Sequence, residues 1–185
     1  MTTKAMQELD EALKDVRALL TQAHTYSGGK KGAPKGTPMS SRPARPFTRA
    51  ATVMLAGAAE AFLESLAIEA ADHLGLQQHQ KKEIKEAADR LHGVGADGVN
   101  RLYAMLGMPF ITDSLGWPGL PKGSVRYRLD QLRTARNKIA HGRAPKNARI
   151  VDADHLMTFV GSLAKALEEA TAARISESTG TRFTW

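Results

Sequence analysis

The chain has 185 residues, a net formal charge of +7 and no cysteine, and this length fits one domain with its own hydrophobic core. The absence of cysteine excludes a disulfide framework, a thiol nucleophile and a cysteine-ligated zinc, and it agrees with a cytoplasmic location. We expect neither export nor a membrane span, because four acidic residues interrupt the longest apolar stretch, residues 50–74.

The first predicted element is a helix over residues 3–24. Apolar side chains recur there at helical spacing, and Thr2 or Thr3 is a suitable N-cap. The apolar stripe consists of Leu9, Leu13, Val16, Leu20 and Ala23. The opposite face is charged, which indicates an amphipathic helix packed against a core.

A basic arm is predicted to follow at residues 27–46. This segment is rich in Gly, Pro, Ser and Lys, and so long a connection is usually functional or poorly ordered. Residues 26–49 carry six lysines and arginines and no acid, among them Lys30, Lys31 and Lys35. Two interpretations stay open for the arm, which are contacts to a polyanion and a simple gain in solubility.

Helical periodicity covers most of the remaining chain, and no convincing alternating strand pattern occurs. Residues 47–74 are apolar on most sides and should form the central helix. The other predicted helices span residues 80–92, 97–106, 124–141 and 152–174. We expect Asp97 to cap the helix that it begins, and Asp152 or Asp154 to cap the last helix.

These elements predict an all-α fold. The single-domain bundle should contain about five helices within residues 1–174, followed by a tail at residues 175–185. Trp117 should anchor the Pro/Gly-rich loop that precedes the predicted helix 124–141 to the body of the protein. No metal and no cofactor is predicted, since His73, His79 and His92 are scattered and no H-E-x-x-H, P-loop or G-x-S-x-G pattern occurs.

Arg136 is the most informative residue of the predicted helix 124–141. At about 100° per residue it lies on the same side of the helix as the apolar residues Leu129 and Leu132. A guanidinium among core residues needs a partner. Two explanations are open, which are a structural ion pair with Glu60 or Glu64, and a position facing a polar cleft at a subunit interface.

His141 is predicted to stand at the last turn of the same helix. It is followed by Gly142, a good C-terminal residue, and Asn137 lies one turn earlier on its side. Residues 120–149 carry nine basic side chains against Asp130 alone. A histidine changes its charge near neutral pH, so it can serve as an acid or base here, or it can simply cap the helix.

The segment from Arg136 to His141, RNKIAH, resembles the R-x4-H signature of HEPN domains, including the asparagine after the arginine. Residues 49–70 are similar to the long second helix of HEPN proteins linked to RNA-ligase and RNA-repair systems. Residues 99–110 also resemble the segment that these proteins place before the signature helix. The resemblance covers much of residues 49–174 and does not extend to the basic arm or the tail.

The resemblance implies a homodimer that cleaves RNA without a metal, within a toxin–antitoxin or phage-defence system and with a cognate antitoxin protein as a further partner. It assigns catalysis to Arg136 and His141, with Asn137 and Glu60 in support. The side chains expected to bind RNA are Lys138, Arg133, Arg143, Lys146, Arg149, Lys30, Lys31 and Lys35. Two alternatives are kept, which are a non-catalytic HEPN module that binds RNA or a partner protein, and a plain helical scaffold.

Overall fold

The protein is described by a computed structural model for residues 2–27, 44–91, 93–142 and 150–185. Helices dominate this part of the chain and no strand occurs in it, so the all-α prediction is confirmed. The elements are α1 (Lys4–Tyr26), α2 (Arg45–His73), α3 (Gln78–Asp89), α4 (Ala96–Ala104), α5 (Ile111–Ser114), α6 (Ser124–Ala140) and α7 (Ile150–Thr179). The described residues thus form seven helices rather than about five.

The central helix is α2, which contacts α1, α3, α4, α6 and α7. Its large apolar side chains Leu55, Leu63 and Leu66 are fully buried, as expected for a helix that is apolar on most sides. By length and composition alone, α2 is also the one helix among the described residues that could cross a membrane. This is weak evidence, because half of its apolar window is buried inside the fold, as in the core helix of a bundle.

The N-terminus of α1 is fixed to two other helices. The Thr3 hydroxyl accepts a hydrogen bond from Met6 N at 2.9 Å, so the predicted N-cap is confirmed at Thr3. Thr3 N and Thr3 Oγ1 both donate to Glu168 Oε1 of α7, at 2.8 and 2.7 Å. Ala5 N donates to Glu69 Oε1 of α2 at 2.8 Å. These hydrogen bonds fix the start of α1 against α2 and α7.

A polar network connects α4 and α5 to the start of α6. The Arg126 guanidinium pairs with Asp97 and, at 3.6 Å, with Asp113. Asn100 Nδ2 donates to Asp113 Oδ2 at 3.3 Å, and Asn100 Oδ1 accepts from the buried Thr112 N at 2.9 Å. The orientation of α6 is therefore set at its first turn by side chains from both short helices.

Several helix ends differ from the prediction. Gly95 is the N-cap of α4, so the cap predicted at Asp97 is wrong, and Asp97 pairs with Arg126 instead. The caps predicted at Asp152 and Asp154 are also wrong, because α7 begins earlier, at Ile150, whose side chain is buried. The short helix α5 was not predicted, and its preceding residue Phe110 adopts a left-handed φ of 55°.

The C-terminal residues are part of the packed structure. Helix α7 continues to Thr179, five residues beyond the predicted end, and Ile175 on it is buried. The rings of Phe183 and Trp185 lie 4.8 and 5.4 Å from the His73 ring. Trp185 Nε1 donates to Glu168 O at 3.0 Å. The predicted tail thus returns onto α2 and α7.

Candidate active site

Helix α6 carries the signature segment and lies against the core through its first three turns. Val125, Leu129 and Leu132 are completely buried. Arg136 continues this stripe one turn later and is half-buried. The helical period that buries the leucines therefore places the guanidinium on the same side of α6, at the edge of the core.

The Arg136 guanidinium is held by its neighbour in the chain. Its Nη1 donates to Asn137 Oδ1 at 3.0 Å, and within the described residues it forms no ion pair with a carboxylate. The Glu60 carboxylate accepts instead from Gly93 N at 2.5 Å. The predicted support of Arg136 by Glu60 is thus not made within a single protomer, because Glu60 fixes the turn after α3.

Glu64 lies one turn from Glu60 on α2 and is partly buried. Burial, followed by the nearby charges of Glu60 and Asp89, raises the pKa of Glu64 to about 7. The second acid considered for Arg136 is therefore part of an acidic group between α2 and α3. Neither acid reaches the signature arginine in the described structure.

His141 is the C-cap of α6 and its side chain is exposed. Its backbone N donates to Asn137 O at 3.0 Å, and Gly142, with a φ of +68°, closes the helix by donating to Ile139 O. Within the described residues the imidazole makes no hydrogen bond and no ion pair. It is thus open to a ligand at the end of the helix.

Arg136 and His141 face different sides of one helix. Five residues at about 100° each place them roughly 140° apart around the axis. Arg136 lies on the side of Leu132, whereas His141 lies on the side of Thr134 and Lys138. One protomer alone therefore does not bring the two side chains together into a compact pair.

The cations of α6 divide into two groups. Arg126 is paired with Asp97 and Asp113, and Arg133 is paired with Asp130 at 3.3 Å. The remaining three, Arg128, Arg136 and Lys138, have no carboxylate partner in the described part of the chain. Arg136 and Lys138 lie in the last turns of α6, next to His141, whereas Arg128 lies near its start. Lys138 is exposed, as an RNA-binding residue must be.

Arg133 has a structural role beside its ion pair. A Cβ added at Gly95 would come within 3.2 Å of the Arg133 Cδ, so the arginine stem lies directly over the turn between α3 and α4. This turn includes Gly93, which donates to Glu60. The RNA contact predicted for Arg133 stays a prediction. In the described structure its guanidinium forms an ion pair with Asp130.

The other side chains predicted to bind RNA lie outside the described residues, namely Lys30, Lys31, Lys35, Arg143, Lys146 and Arg149. His92 also lies outside them. Within the described ranges, no group of three His, Asp or Glu side chains could hold a metal ion. His73 packs against Phe183 and Trp185.

A groove of about 440 Å³ runs between α6 and the first turns of α7. We call it the α6–α7 groove. Its lining includes Tyr127, Gln131, Thr134 and Lys138 from α6, with His155 and Leu156 from α7. Sequence reasoning missed this groove, although a signal was present, since the α6 residues recur at spacings of four and three, as one side of a helix requires.

No family model, no curated protein and no solved structure matches this chain. The likeness to HEPN domains therefore rests on the residues quoted from the sequence.

Proposed function

We propose that the protein is a metal-independent endoribonuclease of HEPN type that acts as a symmetric homodimer. The observation that carries the proposal is His141, an exposed imidazole at the end of a helix. Within the described residues the imidazole has no protein partner, and three cations of the same helix have no carboxylate partner. Such a surface attracts a phosphodiester backbone and presents a proton-transfer group to it.

The reaction follows from the chemistry of ribose and imidazole. A neutral His141 takes the proton of the ribose 2′-hydroxyl, and this oxygen attacks the adjacent phosphorus. The departing 5′-oxygen takes a proton from solvent, so one histidine and one arginine complete a site. The products are a 2′,3′-cyclic phosphate and a 5′-hydroxyl. Arg136 provides a permanent charge and a planar pair of donors to the phosphorane oxygens.

Dimerisation supplies what one protomer lacks. Arg136 and His141 of one α6 point roughly 140° apart, so a second α6 packed against the first can place one chain's histidine near the other chain's arginine. An isologous contact of this kind is the usual geometry of a homodimer. The Asn137 amide, already bonded to Arg136, would orient the guanidinium in this cleft.

The biological setting belongs to the same proposal. The resemblance to HEPN ribonucleases implies that the protein belongs to a toxin–antitoxin or phage-defence system. Its substrate would then be cytoplasmic RNA, and its partner a cognate antitoxin protein. The two basic segments of the sequence agree with an RNA partner, because they carry most of the positive charge on an otherwise acidic chain.

A second candidate function is a HEPN module that binds RNA or a protein without cleaving. The bond between Arg136 and Asn137 favours it, because an arginine that is half-buried and already bonded within one protomer has a structural use without catalysis. Both functions need the same fold and the same cationic helix. Turnover is the property that separates them.

The test is cleavage of a generic single-stranded RNA in the presence of EDTA. We expect the wild type to cleave and His141→Ala to lose at least about 100-fold in rate, the usual contribution of general acid–base catalysis. His79→Ala is the matched control, since His79 is an exposed histidine on α3. Wild-type rates in His141→Ala would contradict the assignment, and no cleavage by any variant would favour the binding module.

A further inference from the structure

Tyr127 is an unusual side chain for the solvent-facing side of a charged helix. It is 65% exposed. Within the described residues its ring packs on no other aromatic ring, and its hydroxyl makes no hydrogen bond. Tyr26, the other exposed tyrosine, stacks on Phe47 at 5.1 Å. Tyr127 therefore presents a free aromatic face at the α6–α7 groove.

The side of α6 that bears Tyr127 leads to the candidate catalytic histidine. Tyr127, Gln131, Thr134, Lys138 and His141 are separated by four, three, four and three residues, which puts all five on one side of the helix. With a rise of about 1.5 Å per residue, Tyr127 and His141 lie about 21 Å apart along the axis. A chain bound along this side would pass both residues.

The charges beside this path suit an anion. Arg128 and Lys138 have no carboxylate partner in the described structure, and Arg128 Nη1 donates to the neutral Gln131 Oε1 at 3.2 Å. Two acids also line the groove and neither is free, since Asp130 is paired with Arg133 and Asp152 has a partner of its own. The groove volume lies in the range of small-molecule sites, large enough for one nucleotide.

We propose that Tyr127 is a stacking platform for one unpaired base of single-stranded RNA, with the α6–α7 groove holding that nucleotide and Lys138 contacting the phosphates between it and His141. This inference rests on the proposed function and names its substrate class. A base inside a duplex cannot lie on an exposed ring, whereas a single strand offers an aromatic face at every base. Because about 21 Å separates Tyr127 from His141, the stacked nucleotide lies several nucleotides along the strand from the cleaved bond.

The test uses a short single-stranded RNA with 2′-O-methyl groups throughout, which cannot be cleaved by 2′-oxygen attack, and one 2-aminopurine, whose fluorescence falls on stacking. We expect the full-length wild type to quench it. Tyr127→Ala should bind about ten-fold to 100-fold more weakly and lose the quench, as for loss of one stacked base. Tyr127→Phe should stay within about two-fold of the wild type.

Phe110→Ala is the matched control, because Phe110 is a comparably exposed aromatic outside the groove. It should bind and quench as the wild type does. The same RNA in a duplex, where the 2-aminopurine is already stacked, should show no further fall in fluorescence when the protein is added. Wild-type affinity in Tyr127→Ala would overturn the inference. A change of Tyr127→Ala from dimer to monomer by light scattering would also overturn it, since the groove would then hold a second copy of the chain.

Failure of this inference and failure of the proposed function give different results. If the wild type cleaves an unmodified RNA but Tyr127→Ala binds the 2′-O-methyl RNA normally, the platform is wrong and the ribonuclease stands. If quenching depends on Tyr127 but no RNA is cleaved, the binding site stands and the catalytic assignment falls.

Discussion

At the residue scale, Glu64 shows how burial and like charges act on one carboxyl group. Its pKa is raised from the ordinary value of 4.5 to about 7, first by burial and then by Glu60 and Asp89. The folded protein therefore holds this proton more strongly than the unfolded chain does. The associated stability is fully present below about pH 4.5 and is lost as the pH rises to about 7.

Glu64→Gln should remove this part of the pH dependence. Above pH 7 we expect the variant to be more stable than the wild type by about 1 kcal/mol, a modest value because solvent screens a partly exposed carboxylate. Urea unfolding at pH 5 and pH 8 measures the difference. Glu83→Gln, at an exposed position of α3, is the control. Equal pH dependence in the wild type and Glu64→Gln would contradict this account.

At the same scale, residue positions were easier to predict than residue partners. The helical period alone predicted that Arg136 shares a side with Leu129 and Leu132, and both leucines are buried there. The partner of Glu60 could not be predicted, because Gly93 lies 33 residues away in sequence. Contacts across the fold depend on how helices cross, and periodicity carries no information about crossing.

At the element scale, the orientation of α6 depends on the polar network at its first turn. Asn100 is nearly buried and accepts from Thr112 N, whose residue is 1% exposed. Asn100→Ala leaves that buried N–H without an acceptor, so we expect a loss of about 1–3 kcal/mol in the free energy of unfolding.

Urea unfolding checks this prediction, with Arg90→Ala as the control. Arg90 forms an exposed pair with Glu86 on α3 at 3.3 Å, and such pairs contribute at most about 1 kcal/mol. Equal losses in Asn100→Ala and Arg90→Ala would mean that the network does not hold α6.

Helices with an apolar period were predicted, whereas the one described helix without a period was missed. Helices α1, α2 and α6 begin and end within about two residues of their predicted bounds, because their apolar periods are long. Helix α5 has four residues and no period to detect. Helix α7 runs past its predicted end because buried Ile175 adds a further turn to its packed side.

At the scale of the whole molecule, the central claim is a site shared between two copies. Mixed dimers of Arg136→Ala and His141→Ala test it, because one of their two composite sites keeps both the arginine and the histidine when these come from different chains. We expect each variant alone to be inactive and the mixture to recover up to about a quarter of wild-type activity, since half of the dimers are mixed and each has one intact site. An inactive mixture of exchanged dimers would place both residues of each site in one chain.

The proposed cleavage mechanism is tested most directly by the chemistry of the product ends. A single-stranded RNA is incubated with the wild type in EDTA, beside the same strand with 2′-deoxy sugars. Attack by the ribose oxygen predicts 2′,3′-cyclic phosphate and 5′-hydroxyl ends from the RNA, no product from the deoxy strand, and no product with His141→Ala. Cutting that requires a divalent metal, or equal cutting of the deoxy strand, would contradict the proposed mechanism.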